Sequence, residues 1–433
     1  MASNKGPNSE WNGYLCDMQN EKGNGAMMPF ARPLYVMAKP AGAACNLGCS
    51  YCYYLEKRLL FAPGRPMKMS DAVLERYVKD YIGSQTGEDV MFTWHGGEPL
   101  LRNLAFYRRV TELQKRFAGR HHVFNCIQTN GTLLTAEWCR FFAEQGWLVG
   151  VSVDGPAGLH DEFRRNRKGR GSWRDVMRGI ELLKEYGVEW NAMATVNAIT
   201  AKHPHEFYEF FKSIGTEFLQ FTPVVERLGE HADGRRLMMP TESEGVVAPF
   251  SVGPDDWGEF LCAVYDVWVR SDVGKIFVQM FDSTLANWVG VPPGVCTLGQ
   301  SCGHAAVMEY NGDVYCCDHF VAPEFRLGNV MQTSLAEMMY AEKQILFGGM
   351  KQRELAAECR ECEWKFLCNG ECPRNRFVAS SDGSTNGNYL CRGYRRFWRH
   401  SAPTMRIMGE AVRAGRDAAE VMDRLRGGEI NLR

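Results

Sequence analysis

The sequence predicts an α/β fold: a partial (β/α)6 barrel, followed by a small cysteine-rich domain and a C-terminal helix. Two patterns lead to this prediction. Short runs of β-branched and aromatic residues alternate with amphipathic segments over the first half of the chain. Such alternation is typical of βα units that form a parallel sheet. Cysteines also gather in two groups, one after the first predicted strand and one in the last third of the chain.

The barrel prediction rests on six strand-like runs with five helix-like segments between them. The predicted strands are Leu34–Lys39, Val90–Trp94, Val123–Gln128, Leu148–Val153, Trp190–Val196 and Phe218–Phe221. The predicted helices lie around Ser70–Ile82, Leu104–Phe117, Thr135–Gln145, Ser172–Tyr186 and Pro204–Ile214. Six units are two fewer than the eight of a closed barrel, so we expect an open one.

Beyond the barrel the signals are local. Residues 223–254 are polar and irregular, and an amphipathic stretch follows at Asp255–Arg270. Asn311-Gly312 predicts a β-hairpin over Met308–Tyr315, with the positive φ angles of a type I′ turn. Ser334-Leu335-Ala336-Glu337 predicts a capping box. The last stretch, about His400–Arg426, is predicted to be a helix packed on the outside.

These signals divide the chain into five parts. The predicted parts are a flexible tail (1–29), the barrel (30–250), a helical linker (251–293), the cysteine-rich domain (294–395) and a C-terminal helical segment (396–433). A chain of 433 residues is too long for one compact core, so two domains are the natural expectation.

Composition excludes several classes of protein. Lys plus Arg is 50 and Asp plus Glu is 51, which does not favour a nucleic acid or an anionic membrane as partner. The tail lacks the apolar segment of a signal peptide, and no stretch is long and apolar enough for a transmembrane helix. We therefore expect a cytoplasmic protein. Sixteen cysteines in such a chain indicate metal binding or catalysis rather than disulfides.

The first cysteine group has the spacing C-x3-C-x2-C, formed by Cys45, Cys49 and Cys52. A structural zinc ion needs four ligands. A cluster of four irons bound by only three thiolates keeps one iron free for another ligand. The alternative, a zinc site or an incidental cluster, is weakened by the position of the motif after the first strand of a βα array.

Other unusual residues also follow predicted strands. They are His95-Gly96-Gly97-Glu98-Pro99, Thr129-Asn130-Gly131 and Asp154-Gly155-Pro156. Because sites in parallel βα folds form at the carboxyl ends of the strands, we expect these residues to converge on one face with the first cysteine group. His95 is a candidate to line the site, and a structural histidine is the alternative.

The second group contains eight cysteines, which is enough for two complete sets of four ligands. They are Cys296, Cys302, Cys317, Cys359, Cys362, Cys368, Cys372 and Cys391. Two zinc sites are the alternative, because C-x2-C is also a zinc spacing. The spacing does not decide which cysteines share a site. The five remaining cysteines are expected to be ordinary thiols, with Cys316 pointing away from its neighbour in a strand: Cys16, Cys126, Cys139, Cys262 and Cys316.

The stretch "ACNLGCSYCYY" resembles the radical S-adenosylmethionine (SAM) superfamily, in which an aromatic residue, here Tyr51, precedes the last cysteine. The resemblance implies a 4Fe–4S cluster whose open iron binds SAM and cleaves it to a 5′-deoxyadenosyl radical. It also implies SAM-binding roles for Tyr51, Gly97 in the glycine-rich "GGEP" motif, Ser152, Arg164 and Leu219. An Arg suits the SAM carboxylate because its donors pair bidentately, and a solvated surface is the alternative for Arg164.

The C-terminal array resembles the SPASM domain, which carries two auxiliary 4Fe–4S clusters. By that resemblance, Cys296, Cys302, Cys317 and Cys372 hold one cluster. Cys359, Cys362, Cys368 and Cys391 hold the other. The implied cofactors are therefore SAM and three 4Fe–4S clusters.

Within these families the chain is most similar to the anaerobic sulfatase-maturating enzymes. The stretches that carry the resemblance are "KPAGAACNLGCSYCYYLEK", "WHGGEPLL", "IQTNGTLL", "VGVSVDGP" and "GDVYCCDHF". The resemblance implies oxidation of a Cys or Ser in a sulfatase chain to Cα-formylglycine, by radical abstraction of the Cβ hydrogen, deprotonation and electron transfer to an auxiliary cluster. Asp318 matches the proton acceptor and Tyr54 a substrate-contacting position; aromatic packing is the alternative for Tyr54, and a polar hairpin role for Asp318.

The resemblance also implies partners. They are an unfolded or nascent sulfatase chain with a Cys/Ser-x-Pro/Ala-x-Arg motif, and a reductant such as flavodoxin or ferredoxin. A carboxylate desolvated in a closed pocket has a raised pKa, so we expect burial to make Asp318 a better base. The alternative function is another SPASM-type peptide modification, such as thioether or crosslink formation. An electron carrier or a zinc-stapled binding protein is disfavoured, because neither needs an open iron.

Overall fold

The computed structural model describes residues 34–61, 66–231, 234–239 and 242–430. The predicted tail and Cys16 lie outside these ranges. None of the helices in the described ranges is both long and apolar enough to cross a bilayer.

The six predicted barrel strands are confirmed, with ends within two residues of the expected ones. They are β1 (Tyr35–Ala38), β2 (Asp89–Trp94), β3 (His122–Thr129), β4 (Leu148–Ser152), β5 (Trp190–Val196) and β6 (Phe218–Pro223). All pair in parallel in chain order. The connecting helices are α1 (Tyr54–Lys57), α2 (Asp71–Gly83), α3 (Leu104–Phe117), α4 (Ala136–Gln145), α5 (Ala157–Phe163), α6 (Trp173–Glu185) and α7 (Pro204–Ser213).

Local sequence explains where three of these helices begin. Ser70, Asn103 and Thr135 each precede a helix, and each side chain accepts a hydrogen bond from the backbone amide three residues later. Such N-caps satisfy amides that have no partner within the helix. The buried faces of the helices then pack on the sheet through aromatic residues such as Tyr107, whose ring meets Trp94 edge-on.

The sheet does not end with the barrel. In the described part of the chain, ten strands form one sheet in the order β10-β6-β5-β4-β3-β2-β1-β11-β12-β13. The added strands are β10 (Phe277–Val278), β11 (Ala305–Met308), β12 (Asp313–Tyr315) and β13 (Arg326–Asn329). Strand β11 of the cysteine-rich domain pairs in parallel with β1, with Tyr35 opposite Ala305. The expected boundary near residue 294 is therefore not a break in the sheet.

The predicted hairpin is present, but its turn is different from the expected type I′. Strands β11 and β12 are joined by residues 309–312, and Gly312 has a φ of 89°. Asn311 is not among the residues with positive φ, whereas a type I′ turn needs positive φ at both central residues. A four-residue connection with glycine at its end lets Glu309 and Asp313 resume the pairing, through a 2.8 Å backbone hydrogen bond.

Residues expected to be irregular form a second, small sheet. Strand β7 (Arg227–His231) pairs with β8 (Gly234–Leu237) and β9 (Val246–Val247), both antiparallel. The sequence is too polar to show the alternation that would have predicted these strands. The sheet lies beside the barrel opening, where Arg236 pairs with Glu56 of α1.

The expected linker and C-terminal segment are integral parts of the core. Helices α8 (Pro254–Ser271) and α9 (Gln279–Val289) pack against a long helix, α14 (Cys391–Arg413). The expectation that the C-terminal helix lies outside is wrong, because Met405 and Met408 of α14 are fully buried. The capping box at Ser334 and Glu337 is confirmed. The remaining elements are α10 (Leu335–Met339), α11 (Glu342–Arg353), α12 (Ala357–Arg360), α13 (Lys365–Cys368), β14 (Arg376–Val378), β15 (Gly387–Asn388) and α15 (Glu420–Arg426).

Candidate active site

The first cysteine group lies on the loop between β1 and α1, at the carboxyl end of the sheet. Cys45, Cys49 and Cys52 line a cavity of about 300 Å³. Burial raises the pKa of all three thiols, and the charge on another thiol of the group raises each pKa further. The Leu47 amide donates to Cys45 Sγ over 3.3 Å, the kind of contact that stabilises a cluster-bound thiolate. Three thiols around one cavity fit a cluster with an open iron.

The "GGEP" turn after β2 packs directly against this cysteine loop. The amide of Gly97 donates to Gly42 O over 2.9 Å, and that of Glu98 to Ala44 O over 2.8 Å. A Cβ at Gly97 would lie 2.2 Å from the carbonyl oxygen of Ala44, so only glycine fits. The glycine that was expected to make room for SAM therefore also makes room for the cysteine loop itself.

Glu98 joins the ends of two strands, a role that the sequence did not reveal. Its carboxylate is fully buried and accepts hydrogen bonds from the Thr129 hydroxyl and the Asn130 amide, both over 2.8 Å. The Asn130 side chain in turn reaches Cys45 Sγ over 3.7 Å. The predicted convergence of the β2 and β3 ends with the cysteine loop is thus present as hydrogen bonds.

Two predicted SAM-binding residues, Tyr51 and Arg164, are held by one buried carboxylate. Asp154 accepts a hydrogen bond from the Tyr51 hydroxyl over 2.5 Å and pairs with Arg164 Nε over 2.7 Å. Burial raises the pKa of Asp154, but Arg164 outweighs it, and the pKa lies below its ordinary value. Arg164 is buried, so the alternative of a solvated surface for this residue is wrong.

The last two of the five predicted SAM-binding residues, Ser152 and Leu219, lie on the strands themselves. Ser152, the last residue of β4, accepts a hydrogen bond from Gln128 Nε2 over 3.0 Å. Leu219 is buried in β6, opposite Ala192 of β5 and Val278 of β10. No described hydrogen bond joins Ser152 or Leu219 to Tyr51 and Arg164.

Asp318 meets Tyr54 at the same end of the sheet. Its Oδ2 accepts hydrogen bonds from the Tyr54 hydroxyl over 2.5 Å and the Tyr53 hydroxyl over 2.7 Å. His95 Nδ1 lies 3.1 Å from the Tyr54 hydroxyl and accepts from the Gly96 amide. The structure therefore joins three residues that the sequence singled out separately, from two different domains.

Two lysines that the sequence analysis missed complete this network. Lys39, which follows β1, is fully buried and pairs with both Asp318 and Glu309. Lys57 of α1 lies 3.3 Å from Asp318 Oδ1 and donates to its backbone carbonyl. For Lys39, the only sequence signal was its position at the end of an apolar strand, and that position does not indicate which residue it pairs with.

The lysines reverse the expected pKa shift of Asp318. Burial alone would raise this pKa, as expected, but Lys39 and Lys57 outweigh it and hold the pKa well below its usual range. Burial lowers the pKa of Lys57 to about 8 and that of His95 to about 4. The site therefore holds an ionised carboxylate beside a neutral histidine at neutral pH.

The eight C-terminal cysteines lie in two groups of four. Cys359, Cys362, Cys368 and Cys391 line one cavity of about 360 Å³. In the second set, Cys296, Cys302 and Cys317 are close enough for their charges to act on the thiol of Cys372, whose pKa is raised well above normal, first by burial. No three His, Cys, Asp or Glu side chains in the described ranges could hold a single metal ion. Four thiols around one cavity fit a 4Fe–4S cluster.

A buried lysine accompanies the second set. Lys351 Nζ donates to the backbone carbonyls of Cys296 and Thr297, both over 2.7 Å. Its charge also acts on the thiols of Cys302 and Cys372. A buried cation next to four thiols is compatible with an anionic cluster, because buried charges need a counterion.

The remaining described thiols are placed as ordinary side chains. Cys316 is fully buried against Phe320 and Phe347, and Cys302 and Cys317 pack against the same apolar cluster. Cys126 contacts the Thr93 hydroxyl over 3.0 Å, and Cys139 is buried in the main core. Cys262 lies partly buried against the same core.

Comparisons with known proteins agree with this geometry. Residues 40–211 match the radical SAM superfamily, and residues 300–363 match the iron–sulfur cluster-binding SPASM domain. A serine-type anaerobic sulfatase-maturating enzyme of Bacteroides thetaiotaomicron is 54% identical over 93% of this chain and 98% of its own length. A cysteine-type enzyme of Clostridium perfringens is 32% identical over 86% of this chain and 97% of its own length.

Solved structures give the same result. Native anSMEcpe with bound AdoMet and Cp18Cys peptide has a TM-score of 0.76 and 30% identity, covering 88% of this chain and 99% of that one. Streptococcus suis SuiB bound to S-adenosylmethionine has a TM-score of 0.57 at 14% identity over 84% of this chain and 79% of its own, so it shares the fold alone. The chain belongs to the anaerobic sulfatase-maturating enzymes, which are radical SAM oxidoreductases that use S-adenosylmethionine and iron–sulfur clusters.

Proposed function

We propose that this chain oxidises a Ser or Cys side chain of a sulfatase to Cα-formylglycine under anaerobic conditions, with Ser as the preferred target. The preference for Ser is supported by the serine-type name of the 54% identical relative. The observation that carries the mechanism is the contact between Asp318, next to the proposed cluster ligand Cys317, and Tyr54, next to the SAM-cluster loop (Cys45–Cys52). The substrate side chain would lie between these two sets of thiols.

The oxidation removes three things from the substrate side chain, and each of them needs an acceptor. A hydroxymethyl group becomes an aldehyde when it loses one hydrogen atom from Cβ, one proton from oxygen and one electron. When bound at the open iron, SAM would supply the radical chemistry that removes the hydrogen atom, and an auxiliary cluster held by the C-terminal cysteines would supply the electron acceptor. The chain's own residues must therefore orient the side chain and accept the proton.

Asp318 is the proposed proton acceptor, and the lysines define how it works. Its low pKa makes it a weak base toward an ordinary alcohol. A hydroxyl next to a carbon radical is much more acidic, so the carboxylate is able to take its proton only after the hydrogen atom has left. Tyr53 and Tyr54, which already donate to Oδ2, mark the place where a substrate hydroxyl would bind. Because the proton leaves only after the hydrogen atom, substrate that has not yet reacted keeps its hydroxyl proton.

The proposed SAM site is held by residues of the barrel. Tyr51, Gly97, Ser152, Arg164 and Leu219 would bind SAM beside Cys45, Cys49 and Cys52, and the buried pair of Arg164 with Asp154 fixes the guanidinium at the barrel opening. The eight C-terminal cysteines would hold the two auxiliary clusters. A chain with so many free thiols and clusters suits a reducing compartment, and we place the reaction in the cytoplasm on a sulfatase chain that has not yet folded.

A peptide assay tests this proposal. Anaerobically reconstituted protein is incubated with SAM, a small reductant and a peptide that contains Ser-x-Ala-x-Arg or Cys-x-Pro-x-Arg. We expect mass spectrometry to show an aldehyde at the Ser or Cys, with the Ser peptide converted at least as fast. A thioether or crosslink in place of the aldehyde would instead support the alternative peptide-modifying function.

A further inference from the structure

A strongly basic loop lies between helices α5 and α6, outside the site described above. This basic loop, residues 164–171, contains four exposed cationic side chains: Arg165, Arg167, Lys168 and Arg170. The whole chain has a net charge of −1, so this local excess of positive charge is not a property of the overall composition. A concentrated patch of one sign attracts partners of the opposite sign.

The basic loop touches the SAM-cluster loop directly. The Gly48 amide donates to the Arg165 carbonyl over 2.8 Å. The Arg167 guanidinium donates to the Cys45 carbonyl over 2.6 Å, and Leu47 forms a β-bridge with Asn166. The cluster loop is itself exposed at Gly48 and Ser50. A protein docked on the basic loop would therefore lie against the exposed edge of the cluster loop.

The carboxylates near the basic loop have other partners, so two of the loop's four cations, Lys168 and Arg170, are not paired with them. Glu162 lies 3.7 Å from Arg165, and Asp175 lies 3.5 Å from Arg178. Asp161 accepts a hydrogen bond from the Trp173 amide. Lys168 and Arg170 form no ion pair with any described residue. Their charges are therefore available to a partner.

We propose that the basic loop is the docking surface for an acidic electron-transfer protein with a low-potential, one-electron redox group. The proposal rests on the proposed function, because reductive cleavage of SAM needs one electron from outside the chain. That electron leaves a flavin or iron–sulfur centre of the donor, which is oxidised by one electron, and reduces the cluster of Cys45, Cys49 and Cys52. No covalent bond forms or breaks at this step. Opposite charges would bring the donor to the exposed edge of the loop that carries Cys45, Cys49 and Cys52.

The test compares two electron sources on the reconstituted holoenzyme. One is an acidic flavodoxin, kept reduced by NADPH and its reductase. The other is photoreduced deazaflavin, a small reductant that needs no docking surface. For K168E/R170E we expect the formylglycine rate with limiting flavodoxin to fall about 10-fold or more at low salt. The rate with deazaflavin should stay within about 2-fold of the unsubstituted protein, because neither side chain belongs to the site.

A matched variant controls for net charge. K115E/R120E makes the same change in charge on exposed residues at the opposite end of the sheet, before β3, and should alter neither rate. Added salt should lower the flavodoxin-driven rate of the unsubstituted protein toward that of K168E/R170E, since screening is strong above about 0.1 M.

Three results would overturn the docking proposal. They are an unchanged flavodoxin-driven rate in K168E/R170E, an equal loss in the control variant, and a parallel loss with deazaflavin. The last result would mean that the loop serves the peptide substrate or the cluster instead. Absence of formylglycine with deazaflavin in the unsubstituted protein would contradict the proposed function itself, so the two failures are distinguishable.

Discussion

Asp318 shows how much a single side chain depends on its neighbours. Its carboxylate and that of Glu309 are matched by the two buried lysines, Lys39 and Lys57. Two cations and two anions give a neutral group, which is what burial of charges requires. Removing one partner would leave an uncompensated buried charge, so substitution of any of these four residues is expected to lower the free energy of unfolding.

Substitution of Asp318 by Asn tests the proton acceptor. Asn keeps the size of the side chain but removes the negative charge that accepts the proton. We expect hydrogen abstraction to continue while aldehyde formation fails, so that 5′-deoxyadenosine still forms but formylglycine falls about 100-fold or more. Both products are measured by mass spectrometry on one sample, together with its iron content.

The control for this substitution is Glu309→Gln. It also removes a counterion of Lys39 but leaves Asp318 in place, so it should preserve most of the formylglycine yield. If Glu309→Gln lowers the yield as much as Asp318→Asn, while 5′-deoxyadenosine and iron remain normal, the role of Asp318 is to balance charge rather than to accept a proton.

At the scale of elements, the SAM-cluster loop is supported by backbone contacts from the turn after β2. Gly97 and Ala44 touch so closely that no side chain fits between them. The loop has no helix or strand of its own over Cys45–Cys52 apart from an isolated bridge. Its shape therefore depends on the neighbouring turns, and above all on the residues of the "GGEP" motif.

Substitution of Gly97 by Ala should displace the cluster loop. The added methyl would overlap the Ala44 carbonyl, and relief of that overlap costs about 3 kcal/mol or more. We expect a lower melting temperature of the holoenzyme and weaker SAM binding by equilibrium dialysis. Gly158→Ala, in α5 and with open space around it, is the control and should be neutral or stabilising by about 0.5 kcal/mol. Equal effects of both substitutions would contradict the packing argument.

Substitution of Cys45, Cys49 and Cys52 together by Ala tests the open iron. These thiols line a cavity separate from the two C-terminal sets. We expect SAM cleavage to be lost while both auxiliary clusters remain, so that the iron content falls from about twelve to about eight per chain. Normal production of 5′-deoxyadenosine by the triple variant would place the open iron elsewhere.

On the scale of the whole molecule, one sheet runs through both domains. The parallel pairing of β1 with β11 places the hairpin that precedes Asp318 beside helix α1, which begins at Tyr54. The ion pair of Glu226 with Arg374 is a second link between the barrel and the cysteine-rich domain. Because the active site contains residues from both domains, it depends on their packing as one body.

Metal analysis tests the assembly as a whole. Anaerobically reconstituted protein should contain about twelve irons and twelve sulfides per chain, from three clusters of four irons. Iron and zinc are measured by mass spectrometry and sulfide by a colorimetric assay. Zinc at the C-terminal cysteines of a sample that retains full activity would contradict the auxiliary-cluster assignment.

The sequence by itself determined what depends on period and spacing. The six barrel strands were predictable because alternation of strands and helices is a local signal. The cysteines were recognisable as candidate ligands because their spacing is visible in the linear chain, but that spacing did not decide which of the eight C-terminal cysteines share a site. Tertiary structure decided what depends on distant partners. Lys39 and Glu309 are 270 residues apart, and no local signal joins them. The low pKa of Asp318 follows from where two lysines come to lie, and the sheet crosses the predicted domain boundary because β11 pairs with β1 rather than with strands of its own domain alone.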